Sequence, residues 1–414
     1  MRAFIRSAGA AILTCLAVSA FVVTRLPVEP WPARAEAQTK RAPAKKAPQA
    51  KAAPAGAAKA ERTPFTAEDE AAATALGLPD ARAWGDSEEE FARLLPQVNG
   101  PWLAMSGGGS DGAFAAGLIT GLTQAGKRPQ FAVVTGASIG SLIGPYAFLG
   151  PRYDEKLRDM FTTIIAGDIF EDRPTGQSLM DSWPLKRTIE RHVTPQLLAD
   201  IAVEHKAGRR LLAVTTNLDA GRRVIWNMGA IAARGDDQAL RLFRDVLLAS
   251  ASIPGIFPPV TIEVEANGRK LQELHNDGSI TAPFFVAPES VLAGTGAITL
   301  PTRQLYVIAN AKLAPQFEMT YPQTSALLGR SIGLALQFGL RAEILLTMTA
   351  TQRLGLELNV AHIPAEFQHP ARGAFDPDYM RALFDFAAAQ AQKGTAFETV
   401  AGGGGAELRG GVAR

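Results

Sequence analysis

Between Pro101 and Asn310 short apolar runs alternate with stretches of helical periodicity. Trp102–Met105 is uninterrupted apolar sequence, as a strand buried on both faces requires. Ala113–Ala125 then repeats its apolar positions at helical spacing. The cycle recurs with a strand over Phe131–Thr135 and a helix over Ser138–Phe148. Farther on, "RLLAVTTNL" and "RVIWNM" read as paired strands around the turn Asp219-Ala220-Gly221. "QLYVIAN" from Gln304 is another apolar strand, and helical periodicity returns between Ser325 and Arg353. Two short helices precede all of this. Thr66 stands before "AEDEAAATAL" and Asp86 or Ser87 before "EEEFARLL", each a side-chain cap followed by acids that suit a helix N-terminus. Strands alternating with helices predict an α/β fold with a largely parallel sheet covered on both faces. Its functional loops belong at the strands' C-terminal ends. No repeat of fixed period interrupts the pattern.

The ends of the chain differ from this middle. Arg2 and Arg6 precede the apolar stretch Ser7–Val23, and Ala33-Arg34-Ala35 and Ala35-Glu36-Ala37 follow as small-residue sites. Residues 1–37 therefore read as an export signal, or as an uncleaved membrane anchor, and imply a periplasmic, envelope-associated or secreted protein. The single cysteine, Cys15, lies inside the apolar stretch, and Thr14 before it is a poor lipoprotein context. A chain cleaved after it has no thiol to oxidise, which suits an oxidising compartment. Residues 38–64 form a Lys/Ala/Pro-rich linker that cannot build a core; its charge could hold it near an anionic membrane. Residues 399–414 read as a disordered glycine-rich tail. The net charge of +2 owes much to the linker, so the folded part is near neutral and nucleic acid is not an expected partner.

The chemistry concentrates in two loops. "LAMSGGGSDGAFAAG" contains G-x-G-x-x-G at Gly107, Gly109 and Gly112, the pattern of a dinucleotide loop. That reading needs an acid at the end of the second strand for the ribose hydroxyls, and none occurs between Phe131 and Tyr153. What stands there is Gly136-Ala137-Ser138-Ile139-Gly140, a G-x-S-x-G between a strand and a helix. In that context the pentapeptide is a nucleophile elbow, with Ser138 on the sharp turn and Gly136 and Gly140 allowing the close crossing. A capping serine in a glycine turn is the plainer alternative. Because both loops leave the same edge of a parallel sheet, Gly107, Gly108 and Gly109 can present N–H groups to an ester oxyanion. No cluster of potential ligands suggests a metal, and no cofactor is expected. Asp277, in "LHNDGSITAPFF", is the conspicuous acid, although Asp-Gly is also a common turn.

Taken together, "SGGGSDGAFAAG" from Ser106, "GASIG" from Gly136, "LLASASIPGIFPPV" from Leu247 and "NDG" from Asn276 resemble the patatin-like phospholipases over about Pro101–Asn310. The resemblance implies a three-layer α/β/α sandwich with a mainly parallel central sheet, spanning residues 65–398. It implies an acyl hydrolase with Ser138 as nucleophile, Asp277 as its direct base, and Gly107, Gly108 and Gly109 as oxyanion hole. Lipid or ester would be the substrate. Two positions depart from the family pattern: Asp111 stands where the family usually has Arg or Lys, and Ser279 follows Gly278 where the family usually has Gly or Ala. The first leaves the substrate's head group open.

Two other readings stay beside this one. His362 or His369, both after Asp277, could complete a Ser-Asp-His triad, and His275 shares a strand side with Asp277. Alternatively the elbow is vestigial and the protein a lipid- or partner-binding envelope component. The segments "DEKLRDMFTTIIAGDIF" from Asp154 and "SLMDSWPLKRTIERHV" from Ser178 could cap the site as a lipid-facing lid or simply pack on the sheet.

Overall fold

The computed structural model describes residues 62–400. The segment expected to be an export signal or membrane anchor, nearly all of the expected linker and the expected tail from 401 lie outside the described residues. Strands occupy Arg82–Trp84 (β1), Trp102–Met105 (β2), Val133–Ala137 (β3), Arg210–Asn217 (β4), Arg222–Asn227 (β5), Val260–Ala266 (β6), Arg269–Asp277 (β7), Gln304–Ala309 (β8), Glu357–His362 (β9) and Glu398–Val400 (β10). Helices occupy Ala67–Ala71 (α1), Glu88–Ala92 (α2), Gly112–Gln124 (α3), Ile139–Leu149 (α4), Asp154–Thr163 (α5) and Trp183–His192 (α6). They continue with Pro195–Lys206 (α7), Met228–Arg234 (α8), Asp237–Ser250 (α9), Glu289–Ala293 (α10), Thr324–Leu354 (α11) and Pro377–Lys393 (α12).

The strands form one mixed sheet in the order β1-β5-β4-β3-β2-β8-β9-β10. The five in the middle, β4 to β9 in that order, are mutually parallel. Antiparallel strands finish both margins, β5 and β1 at one and β10 at the other. Alternate side chains of each central strand enter different cores, as a pleated strand dictates. Leu103 and Met105 of β2 join the core under α3, α4, α9 and α12. Trp102 and Ala104 join the opposite one, with Phe91 of α2, Leu292 of α10 and Leu340 and Ile344 of α11. The result is the helix–sheet–helix sandwich expected from the sequence.

Local details follow from side-chain chemistry. Thr66 and Asp69 complete a reciprocal capping box at α1, and at α2 it is Ser87, rather than Asp86, that accepts from the Glu90 N–H. β3 starts two residues later than the apolar run suggested and continues to Ala137. Gly136 and Ala137 remain in register with Met105 and Val214, so the strand reaches the elbow itself. The margins also move slightly. Arg62, inside the expected linker, forks onto the Asp219 carboxylate at 3.0 and 2.6 Å, and β10 carries regular structure to Val400.

Strand β7, which ends at Asp277, belongs to a β6–β7 hairpin that attaches to β4 through three residue pairs, Thr215–Asp277, Thr216–Asn276 and Asn217–His275. A buried cluster clamps this junction. Arg82 of β1 bonds both Glu273 oxygens, at 2.5 and 2.9 Å. Glu273 Oε2 lies 3.0 Å from His275 Nε2, and Thr215 Oγ1 is 2.9 Å from His275 Nδ1. Burial pushes the Glu273 carboxyl up, but His275 and Arg82 outweigh it and hold the group down to about 2. Burial also keeps His275 below its usual range, so the ion pair is that of Glu273 with Arg82. His275 therefore braces the hairpin.

Candidate active site

Between the end of β3 and the start of α4 a single residue, Ser138, turns the chain. Its backbone sits at φ 52°, ψ −126°, where a non-glycine residue costs on the order of 1–3 kcal/mol. Neighbours hold it there. The Ser138 N–H donates to Ser250 Oγ at 3.0 Å, Ser250 Oγ donates to the Val214 carbonyl at 2.7 Å, and Ser141 Oγ donates to the Ser138 carbonyl at 2.6 Å. The elbow glycines are a steric requirement of the same turn. A Cβ on Gly136 would stand 2.2 Å from the Gly140 carbonyl oxygen, and one on Gly140 would stand 2.5 Å from that of Met105.

Asp277 ends β7 beside β4. Ser138 Oγ donates to Asp277 Oδ2 at 2.6 Å, and the Ser279 N–H donates to Oδ1 at 2.8 Å. The Asp277 N–H is itself held by the Ser252 carbonyl at 2.9 Å. With 1% of its surface exposed, Asp277 has its pKa pushed up to about 6 by burial, against the opposing hydrogen bonds from Ser138 and Ser279. A carboxylate poised there accepts a hydroxyl proton far more readily than an ordinary aspartate would.

The glycine loop packs directly on this pair. A Cβ on Gly107 would lie 3.1 Å from Ser138 Cβ and 2.4 Å from Ser279 Oγ. The Gly107 N–H makes a long contact, 3.4 Å, with the Pro283 carbonyl, whereas the N–H groups of Gly108 and Gly109 find no acceptor among the described residues. Gly108 adopts φ 156° and Gly109 φ 57°. A side chain on Gly108 is doubly excluded, since its Cβ would come 2.2 Å from the Asn310 carbonyl oxygen. Gly108→Ala is accordingly expected to lower kcat about 100-fold or more by displacing loop donors, with only a modest change in KM; steady-state kinetics on a soluble ester check it.

Asn310 escaped the sequence reading. Its side chain donates to the Ser106 carbonyl at 2.9 Å and accepts from the Ala115 N–H at 3.1 Å, while its own N–H donates to Ser106 Oγ at 2.8 Å. One fully buried residue thus ties β8, the glycine loop and the first turn of α3 together. A lone Asn after an apolar strand gives no local sign of that role.

The histidines lie elsewhere. His362 has the Ile363 carbonyl at 3.1 Å and Glu398 at 3.7 Å, on the β9–β10 margin. His369 stacks beside Phe367 and Tyr379. No hydrogen bond joins either of them, or His275, to Ser138 or Asp277 among the described residues. Asp111 is also placed: Tyr379 Oη donates to its carboxylate at 2.6 Å, and burial pushes its pKa up to about 6. A small apolar cavity of about 30 Å³ adjoins the elbow, walled by Ile139, Leu142, Phe161, Ile169, Leu185 and Leu247. Its walls come from α4, α5, α6, α9 and the short turn before Ile169, so the two helical segments proposed as a lid both face it.

Residues 103–288 match the family model described as patatin-like phospholipase. Over this segment the chain is similar to the patatin-like phospholipases. A solved structure similar to the chain is that of VipD from Legionella pneumophila, at 12% identity and a TM-score of 0.34, covering 73% of this chain and 68% of that one. No curated protein matches the chain. The patatin-like segment begins within β2 and ends just before α10, so it contains both loops, the elbow and Asp277. The match supports a lipid acyl hydrolase activity in general. Asn310 and Arg82, which brace the site from either side, fall outside it.

Proposed function

We propose that the protein is an exported serine acyl-ester hydrolase of the phospholipase A, lysophospholipase or esterase type, working through Ser138 and Asp277. The observation that carries this reading is the 2.6 Å contact from the Ser138 hydroxyl to a fully buried carboxylate. Asp277 takes the hydroxyl proton as Ser138 Oγ attacks the ester carbonyl, and the loop N–H groups of Gly108 and Gly109, with Gly107 packed against the serine, receive the developing oxyanion. The leaving alcohol takes the proton from Asp277. A water molecule then gives its proton to Asp277 and attacks the acyl-enzyme, which releases the fatty acid and restores the serine. The apolar cavity beside Ile139 receives the start of the acyl chain, and it must widen for a long one. The export signal and basic linker fit an enzyme that meets lipid in the cell envelope.

The test uses the full chain with a fluorophosphonate probe and a p-nitrophenyl acyl ester. The probe is expected to attach at Ser138, located by peptide mass, and ester turnover is expected to survive His362→Ala. Because Asp277 must be ionised to act, kcat/KM is expected to fall about tenfold per pH unit once pH drops below about 6. An unlabelled Ser138 with no turnover would favour the binding-protein reading, and a dead but folded His362→Ala would favour the triad.

A further inference from the structure

The helix α11 presents to solvent a face that a water-exposed helix does not ordinarily have. Its inner side buries Leu340, Ile344, Thr347, Met348 and Thr351. Its outer side repeats Leu328, Ser331, Ala335, Phe338, Ala342 and Leu345 at three- and four-residue spacing, all exposed and none charged. From Leu327 to Leu346 that stripe runs about 30 Å. The chain leading into α11 extends it, with Phe317 97% and Met319 68% exposed. Among the described residues α11 is the one helix long and apolar enough to cross a bilayer, yet its buried side makes it a layer of the fold. Among the described residues the stripe is unpartnered.

We propose that this stripe is the surface by which the protein lies on a lipid bilayer, bringing the active-site turn to its substrate; the assignment rests on the lipid acyl hydrolase reading above. Continuity with the site is the first argument. Leu328 stands 3.6 Å from where a Cβ on Gly255 would be, and the Gly255 carbonyl accepts the N–H of Leu179, itself exposed. Pro283 likewise stands 3.6 Å from where a Cβ on Gly339 of α11 would be, and its carbonyl is the one that receives the Gly107 N–H. Between Asp277 and Pro283 the turn exposes Ile280. One apolar surface therefore continues from the helix to the turn that carries the base, and an occupant that is also the substrate can cover both.

Charge is the second argument. The charged side chains of α11 are Arg330, Arg341, Glu343 and Arg353. Arg341 lies over the Phe338 ring at 5.5 Å, at the border of the stripe, while Glu343 is turned inward toward Arg223 and Glu289. An apolar stripe bordered by arginine suits the acyl–headgroup boundary of a membrane containing anionic lipid. Arg330 is already paired with Glu318 and Arg353 with the Leu292 carbonyl, so a second copy of this chain would meet the same Arg341.

The experiment uses the full chain with Cys15→Ser, which removes the only other thiol, and an environment-sensitive nitrobenzoxadiazole dye on Phe338→Cys, Leu345→Cys or, as a control, Glu263→Cys on the exposed face of β6. Vesicles of phosphatidylcholine mixed with phosphatidylglycerol are expected to shift the emission at 338 and 345 to the blue and leave 263 unmoved. In the same chain, Phe338→Asp with Leu345→Asp is expected to lower hydrolysis of vesicle phospholipid at least tenfold and leave the soluble-ester rate unchanged. An unmoved dye at 338 and 345 overturns the proposal, even where the N-terminal segment tethers the protein to the vesicle. A dye shift that grows with protein concentration without lipid overturns it in favour of a second copy. A full dye shift in a protein that hydrolyses no ester would instead leave the docking surface standing and remove the catalytic reading.

Discussion

Ser138→Ala is expected to lower kcat/KM for an acyl ester about 10,000-fold, the scale on which hydrolases lose activity when the nucleophile is removed. The substitution deletes one oxygen and with it the acyl-enzyme route. What survives is substrate binding and whatever the loop of Gly107, Gly108 and Gly109 contributes to direct attack by water. The fold should hardly notice. Alanine at φ 52° is strained to a similar degree as serine, and the contacts that hold this turn, from Ser250 Oγ and Ser141 Oγ, go to the backbone of residue 138. Asp277 loses one of its two donors, which raises its pKa further while the Ser279 N–H stays in place. Single-turnover kinetics beside thermal unfolding check both halves. A variant that keeps a tenth of the activity would show that Ser138 is not the nucleophile.

Asp277→Asn is expected to remove activity on a comparable scale and to make the protein more stable at pH 8. The folded-state pKa of Asp277 is raised from 3.8 to about 6, so folding favours the protonated group. The stability this confers is fully present below pH 3.8 and is lost as pH rises through about 6. Above that, the native protein carries a buried carboxylate whose ionisation costs on the order of 3 kcal/mol relative to the unfolded chain. Asparagine has no charge to bury, and its Oδ1 can still accept from the Ser279 N–H. The expected gain is roughly 1–3 kcal/mol at pH 8, shrinking to nothing near pH 4. Denaturant melts at the two pH values read it directly. A variant less stable than the parent at both would mean that the buried carboxylate does not carry this ionisation cost.

The two loops and their flanking elements were legible because everything that defines them is local. β2 and β3 are buried on both faces and β8 nearly so, and each reads as a short, mostly apolar run. The elbow's glycines are demanded by backbone atoms within a few residues or on the next strand. The pairing of Ser138 with Asp277 was not legible from spacing, since 139 residues separate them, and it entered through the resemblance. Asn310, Arg82 and Glu273 stayed invisible for the same reason: each acts across a sequence separation that no periodic pattern records. α12 is a different kind of omission. Asp376 caps it, Pro377 opens it, and Met380, Leu383, Phe384, Ala387 and Ala391 mark its buried face at helical spacing, so the signal was present. Its partner shows why α3 is rich in glycine: Cβ atoms on Gly117 and Gly121 would strike the α12 backbone at Phe384 and Ala388. The antiparallel margins were only half readable, because the β4–β5 hairpin declares itself locally while β1, β6 and β10 are short or solvent-facing.

The position of Asn310 and Arg82 beyond the patatin-like segment has a practical consequence for dissecting the chain. Cut at residues 103 and 288, a fragment would keep every group assigned to the chemistry and lose what aligns them. Without β8, the N–H and C=O groups along one side of β2 would be left as a bare edge, open to pairing with another molecule. Without β1, Glu273 would keep its burial and lose its guanidinium, a loss that typically costs about 3–5 kcal/mol. Such a fragment should aggregate before it can be assayed, and the smallest soluble catalytic unit of this protein should reach from at least β1 through β9.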